Sequence, residues 1–225
     1  MLSPTRYTPS TSSIAPFPTG EDVLDAPGEG LAFRAWVPPS PILVLGNSQV
    51  PDIELNVETV LADGIPVYQR KGGGGAVLLA PGCVCLAVRF PKRPDWGIHD
   101  YFAAGNQLLS DAVGAVAGLR AEPRGISDLA VLTTEGTRKI SGSSLYMPRG
   151  GALYLASLLV SADISMWDRY LKHPSREPDY RAGRGHGAFV ANVSERASAA
   201  GRAGVTAEAV RQALSAISRQ LSGKQ

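Results

Sequence analysis

From residue 31 the apolar residues fall in two short runs, residues 31–37 and 42–46, set apart by Pro38, Pro39 and Pro41. Proline cannot donate to a ladder, so the pattern predicts two strands joined by a turn. The period then changes. Over residues 52–63, Ile53, Val57, Val60 and Leu61 recur at helical spacing, and Gly64 is placed to end the helix. Residues 65–70 predict a strand, which runs into Lys71 and four glycines, Gly72 to Gly75; a further strand follows at 76–79. After the turn Ala80-Pro81-Gly82, residues 83–90 predict another strand. Residues 100–119 predict a helix that buries Phe102, Leu108, Leu109, Val113 and Val116. Three strands are expected near 129–133, 139–146 and 151–158, with Gly136 turning the first into the second. A short helix over 162–171 stops before Pro174, and an amphipathic helix over 207–221 closes the chain. Strands cluster instead of alternating with helices, so the pattern favours an α+β fold over a doubly wound sheet.

Composition supports a packed core. Of 225 residues, 44% are hydrophobic and 19% charged, which separates the chain from disordered sequences. Lysine and arginine exceed aspartate and glutamate by only two, so bulk charge gives no reason to expect a nucleic-acid partner. The longest apolar stretches, such as residues 152–160, fall short of the ~18 residues a membrane span needs. Residues 1–20 are rich in Pro, Ser and Thr and hold no apolar run, which predicts a flexible leader and not an export signal. A domain over 21–193 and a C-terminal helical segment over 194–225 are expected, because after Asn192 the chain turns to Ala, Ser, Arg and Gln. A soluble, cytoplasmic protein is the expectation. Cys83 and Cys85 would share one face of a strand and form neither half of a zinc pattern nor a disulfide framework. His99, His173 and His186 are too scattered to predict a metal site.

Candidate chemistry begins at the glycines. Four in a row sacrifice backbone entropy, roughly 0.5–1 kcal/mol each against alanine in regular structure, so such a run is kept where main chain approaches something closely. No Gly-Lys-Ser/Thr follows, and the run opens a strand and not a helix, so it is not a Walker loop. A flexible hairpin tip is the plain alternative; backbone N–H groups beside the Arg70 guanidinium would instead suit a phosphate or carboxylate. Lys139 stands at a strand start just before Gly142, which Ser141 and Ser143 flank. Most lysines so placed are solvated and contribute little to a core, but this one adjoins a small-residue strand that permits close approach. The segment 176–186 is dense in charge and predicts a structural loop, with Glu177 and Asp179 pairing to its arginines, in preference to a role in binding substrate.

Gln69-Arg-Lys-Gly-Gly-Gly-Gly-Ala-Val resembles the Arg-Arg-x-Ser/Thr-Gly-Gly-Gly-Ala-Val loop of the lipoate–protein ligase family. Asp128-Leu and Gly136-Thr-Arg-Lys-Ile-Ser-Gly-Ser resemble that family's Asn-Asp-Leu and Lys-Ile-Ser-Gly-Ser-Ala signature. Leu45-Gly-Asn-Ser-Gln is similar to its early Gly-Arg-x-Gln segment. The resemblance spans about residues 30 to 193 with motif order kept. It implies a biotin/lipoate ligase-like catalytic domain, in a single-domain form without the C-terminal accessory domain, built of mixed, largely antiparallel sheets flanked by helices. It implies a reaction in which lipoate and ATP, with Mg²⁺, give lipoyl-adenylate, which then acylates a lysine of a lipoyl carrier domain. Such carriers include the 2-oxoacid dehydrogenase acyltransferase component and the glycine cleavage H protein, and a separate accessory subunit would be compatible. By the same resemblance Lys139 is the catalytic residue. Arg70, Gly73, Gly74, Gly75, Ala76, Val77, Leu78, Asp128, Gly142 and Ser143 would join it in binding ATP or the acyl-adenylate.

The chain departs from the family pattern at several points. Gln69 replaces the first Arg of the loop, Leu79 replaces a His, and Tyr154-Leu155-Ala156-Ser157 stands where the family has His-His-Gly-Thr. After Ser143, Ser144-Leu145-Tyr146 replaces Ala-Tyr-Arg. Two alternatives therefore stay open: an octanoyl or lipoyl transferase using a preformed acyl donor, and a catalytically degenerate protein that only binds lipoyl carriers. The transferases work through a cysteine thioester, yet no cysteine follows residue 85.

Overall fold

The computed structural model describes residues 14–222. Among the described residues, nine strands form two sheets. β1 (Ala32–Trp36), β5 (Cys83–Pro91), β6 (Glu122–Arg124), β7 (Asp128–Thr133), β8 (Gly136–Tyr146) and β9 (Gly151–Leu159) make an antiparallel sheet in the order β1-β5-β9-β8-β7-β6. β2 (Ile42–Leu45) lies between β3 (Val67–Gln69), to which it is parallel, and β4 (Val77–Leu79), to which it is antiparallel. The α+β expectation holds, as does the mixed, largely antiparallel pairing.

Two adjacent interior strands, β5 and β9, show why the large sheet reads as near-continuous apolar sequence. Every residue of β9 is buried, and β5 is buried from Cys83 to Val88. A sheet covered on both faces has no solvent side to mark with polar residues. On one face Val84, Leu86 and Val88 pack with Tyr101, Leu109 and Val113 of α3 (Ile98–Ala117), joined by Val210 and Leu214 of α7 (Ala207–Ser222). On the other, Cys83 and Leu159 meet the small sheet through Leu43, Leu45 and Leu78. α6 (Val193–Ala199) adds Val193 and Ala197 to the first of these cores.

α3 starts earlier than the apolar pattern suggests, because the Gly97 N–H donates to the Asp100 carboxylate at 2.8 Å and opens the helix there. It ends at Gly118, whose φ of 65° is the left-handed conformation glycine adopts without penalty.

The single helix expected over 52–63 is two short ones, α1 (Pro51–Glu54) and α2 (Val57–Ala62). Leu55 between them is extended, fully buried and bridged to Leu171. Lys172 N–H donates to Glu54 O and Asn56 N–H to Tyr170 O, both at 2.9 Å. Pairing with this distant segment, just past α4 (Ser165–Tyr170), replaces the bonds that a continuous helix would have made. β6 was not legible either: it is three exposed residues around Pro123, too short to carry a period and tolerable only at a sheet edge.

The flexible leader expected over 1–20 lies partly outside the described residues, and its remainder is packed. Gln69 N–H donates to Ala15 O at 3.0 Å, Phe17 N–H to Gln69 O at 2.8 Å, and the Phe17 ring is 4% exposed. A proline-rich stretch with one large aromatic can lie along a sheet edge without an apolar period of its own. Among the described residues no helix is long and apolar enough to cross a membrane.

Candidate functional site

A cleft of about 980 Å³ opens between the small sheet, the β8–β9 side of the large one and the segment from Pro174 to Val190. Three groups of residues build it.

The first is the glycine loop. Arg70 is 8% exposed, and its guanidinium is turned onto the main chain. Nε and Nη2 donate to Gly73 O at 3.2 and 2.7 Å, Nη2 to Gly75 O at 2.9 Å, and Nη1 to Val44 O at 3.3 Å. Burial pulls its pKa down to about 10, opposed by the Glu21 carboxylate, so it stays cationic at neutral pH. Arg70 thus staples the loop through carbonyls, a different geometry from a guanidinium free to grip phosphate. Two glycines make this possible. Gly74 has φ +95°, and a Cβ there would stand 2.9 Å from Arg70 Nη2. A Cβ on Gly46 would sit 2.0 Å from Gly74 O. Gly74, Gly75, Ala76 and Val77 line the cleft; Gly73 and Leu78 do not. Successive strand residues face opposite ways, so Val77 faces the cleft while Leu78 is fully buried in the small-sheet core.

The second group surrounds Lys139. Its Nζ lies 2.7 Å from Asp128 Oδ1, and the Asp128 side chain is 7% exposed. Tyr180 OH donates to the other oxygen, Oδ2, at 2.9 Å, and Ser127 Oγ to Oδ1 at 3.3 Å. Asp128 and Gly142 are register partners across β7 and β8, Leu129 pairs with Ser141, and a bulge at Leu129–Ala130 then sets Ala130 opposite Lys139. A Cβ on Gly142 would be 2.9 Å from Lys139 Nζ, so the missing side chain is the space the ammonium uses. Ser143 is tied to the preceding loop: its N–H and Oγ both donate to Ser127 O, at 2.8 and 2.7 Å. The structure therefore brings Asp128, Lys139, Gly142 and Ser143 to one wall of the cleft. The lysine that reads in sequence as a typical solvated one is paired to a buried carboxylate.

The third group lies in the charged segment that sequence singled out as a structural loop. The segment 176–186 has one of the expected internal pairings, since Glu177 meets Arg181 at 3.5 Å, and it also contacts His173 at 2.9 Å. Yet the segment also covers the cleft. Arg181, 4% exposed, stacks 4.9 Å over Phe189, and its buried Nη2 has no hydrogen-bond partner among the described residues. Burial lowers its pKa. His186 Nδ1 lies 3.0 Å from Asp168 Oδ1; burial first, and the Arg181 charge second, hold the imidazole below its usual pKa. The density of charge was the visible signal. What sequence could not show is that the chain returns to β8, where Ala191 N–H donates to Lys139 O at 2.9 Å. Among the described residues no group of three or more His, Cys, Asp or Glu is arranged to hold a metal ion.

At the other end the cleft is apolar, lined by Phe17, Trp36, Val44, Leu79 and Leu155. Cys85 also lies there, 1% exposed, and burial raises its pKa well above the usual thiol value; Cys83, fully buried, is pushed up to about 11. Neither is a thiolate at neutral pH, and thiolate is the nucleophilic form. Mass spectrometry after mixing with octanoyl-carrier protein is expected to find no acyl group on either cysteine.

A cleft that combines an apolar slot, an ammonium, a stapled glycine loop and a buried guanidinium with one unpaired nitrogen is suited to an acid whose carboxylate meets a phosphate. Structures of proteins that handle such an acid share this fold. A bi-partite lipoate protein ligase of Thermoplasma acidophilum, described with its E2 lipoyl domain, superposes with a TM-score of 0.68 at 26% identity, over 82% of this chain and 68% of that one. A T. acidophilum protein with lipoic acid bound gives 0.67 at 25% identity, over 87% and 75%. Lipoate-protein ligase A bound with ATP gives 0.64 at 26% identity, over 82% and 69%. The profile of the lipoyl protein ligase A/B catalytic domain matches residues 24–217, and the chain belongs to that family.

Proposed function

We propose that the protein is a lipoate–protein ligase. In the first step a lipoate carboxylate oxygen attacks the α-phosphorus of ATP, forming lipoyl-adenylate and releasing pyrophosphate. In the second, the amine of a carrier lysine attacks the acyl carbon, forming the amide and releasing AMP. The observation that carries this reading is the Lys139 ammonium, held by Asp128 against Gly142 in a cleft that Trp36, Leu155 and Arg181 also line. An ammonium fixed there stabilises negative charge on both reacting groups as it develops, at no reorganisation cost. The acyl chain would lie toward Trp36 and Leu155, and the N–H groups around Gly75 would face phosphate oxygens. Mg²⁺ would arrive as the ATP complex, which commonly keeps its phosphates and waters as ligands. The carrier would be a lipoyl domain of the acyltransferase or H-protein type; the T. acidophilum ligase studied with its E2 lipoyl domain supports that class of partner.

Arg181 joins the proposed site as a cation that ATP completes. A buried guanidinium nitrogen without a partner costs stability until an anion reaches it. Arg181→Ala is expected to weaken ATP binding by about tenfold or more, the worth of a charge-assisted bond, while lipoate binding stays within about twofold. Calorimetric titration with each ligand separates the two.

The reading is tested by incubating the protein with ATP, Mg²⁺, lipoate and a lipoyl domain, with and without candidate accessory subunits. A lipoyl mass gain on the carrier lysine supports it. Modification only from octanoyl-carrier protein would replace it with transfer, and carrier binding without modification would leave a binding protein.

A further inference from the structure

We infer that Tyr180 is a positioning residue for Lys139, acting through Asp128; the inference rests on the adenylation role proposed for that lysine. One carboxylate links the two side chains. Asp128 Oδ1 takes the ammonium at 2.7 Å, and Oδ2 takes the Tyr180 hydroxyl at 2.9 Å. With one oxygen committed to each donor, the carboxylate cannot rotate without breaking a bond. The ammonium is then fixed in the gap over Gly142, where a Cβ would approach it to 2.9 Å.

Tyr180 is itself held at its ring and at its carbonyl. Its ring packs on Phe189 at 5.1 Å between centroids. Its carbonyl accepts from Arg184 Nη2 at 2.6 Å, and Arg184 Nη1 donates to Thr137 O at 3.1 Å, two residues before Lys139 on β8. Burial, then the Asp128 charge, raises the phenol pKa, so the hydroxyl remains a donor across the working pH range. The loop that covers the cleft and the strand that carries the lysine are therefore clamped to one another beside the shared carboxylate.

Without the hydroxyl, Oδ2 loses its donor and the carboxylate is free to turn toward the ammonium with both oxygens. Lys139 would then be drawn out of its place over Gly142. A displacement of about 1 Å in a reacting group can cost up to about 10²-fold in rate, so a loss of about tenfold or more in kcat is expected. KM should hold within about twofold, because Tyr180 itself lies outside the set of residues that line the cleft.

The test is Tyr180→Phe, which keeps the ring on Phe189 and removes only the hydroxyl. Two measurements are made on the full chain: adenylate formation, and the Lys139 ¹⁵Nζ resonance of the free protein, assigned by its absence in Lys139→Ala. The inference expects a lower kcat at near-constant KM, a shifted Lys139 resonance, and no further loss from Tyr180→Phe in an Asp128→Ala background. An unchanged resonance, or the same rate loss in both backgrounds, would overturn it. If the wild type forms no adenylate, the ligase reading falls, while the resonance still decides whether Tyr180 positions Lys139.

Discussion

Lys139→Ala is expected to abolish lipoyl-adenylate formation, lowering the rate by about 10²–10³-fold or more, the usual effect of deleting one preorganised electrostatic partner. Lys139→Arg should not rescue it. A planar fork needs more room than an ammonium, and the gap over Gly142 is sized for a point charge. Sequence alone suggests that stability would barely change, because lysines at strand starts are usually solvated. The ion pair with Asp128 alters that expectation. Removing the ammonium strands a carboxylate whose side chain is 7% exposed, leaving it the Tyr180 and Ser127 hydroxyls. A loss of about 1–3 kcal/mol follows from an under-satisfied buried charge. Asp128→Asn in the Lys139→Ala background should return part of the stability and none of the activity. Denaturant melts of the three variants beside single-turnover assays check both halves.

Gly74→Val should be the most damaging change in the glycine loop. A non-glycine residue at φ +95° carries backbone strain of about 1–3 kcal/mol. In addition, the new Cβ would stand 2.9 Å from Arg70 Nη2, displacing the guanidinium that donates to Gly73 O and Gly75 O. Ligand binding should therefore be lost because the loop is unstapled, as well as through the space its methyls would occupy. Gly75→Ala is the control for the fold. A Cβ there meets nothing within 4 Å, and its φ lies outside the left-handed region. Calorimetry and thermal melting should find the Gly74→Val protein both destabilised and unable to bind, and the Gly75→Ala protein as stable as the wild type.

The parts of this structure that were legible in sequence are those where one local pattern decided the outcome. β5 and β9 are apolar because both faces are covered, and α3 shows its period with Gly97 and Gly118 at its ends. The glycine loop and the Lys139 strand were found from their residue types. The rest depended on partners far along the chain. Leu55 is extended because it bridges Leu171, and Phe17 is buried because Gln69 runs beside it. Arg70 was legible as a cation but not as a staple, since residue types alone do not say whether the guanidinium turns back onto Gly73 O and Gly75 O or out toward a ligand. Tyr180 and Arg181 sat in a segment whose charges suggested internal pairing, and only its return to β8 makes it a wall of the cleft.

The central claim is that this chain joins an acid to AMP with Lys139 stabilising the charge. Exchange of labelled pyrophosphate into ATP measures that step without a carrier. The account predicts exchange that requires lipoate, proceeds with wild-type protein, survives Cys83→Ala and Cys85→Ala, and disappears in Lys139→Ala. Absence of lipoate-dependent exchange in the wild type, together with a thioester on Cys83 or Cys85 after incubation with octanoyl-carrier protein, would contradict it.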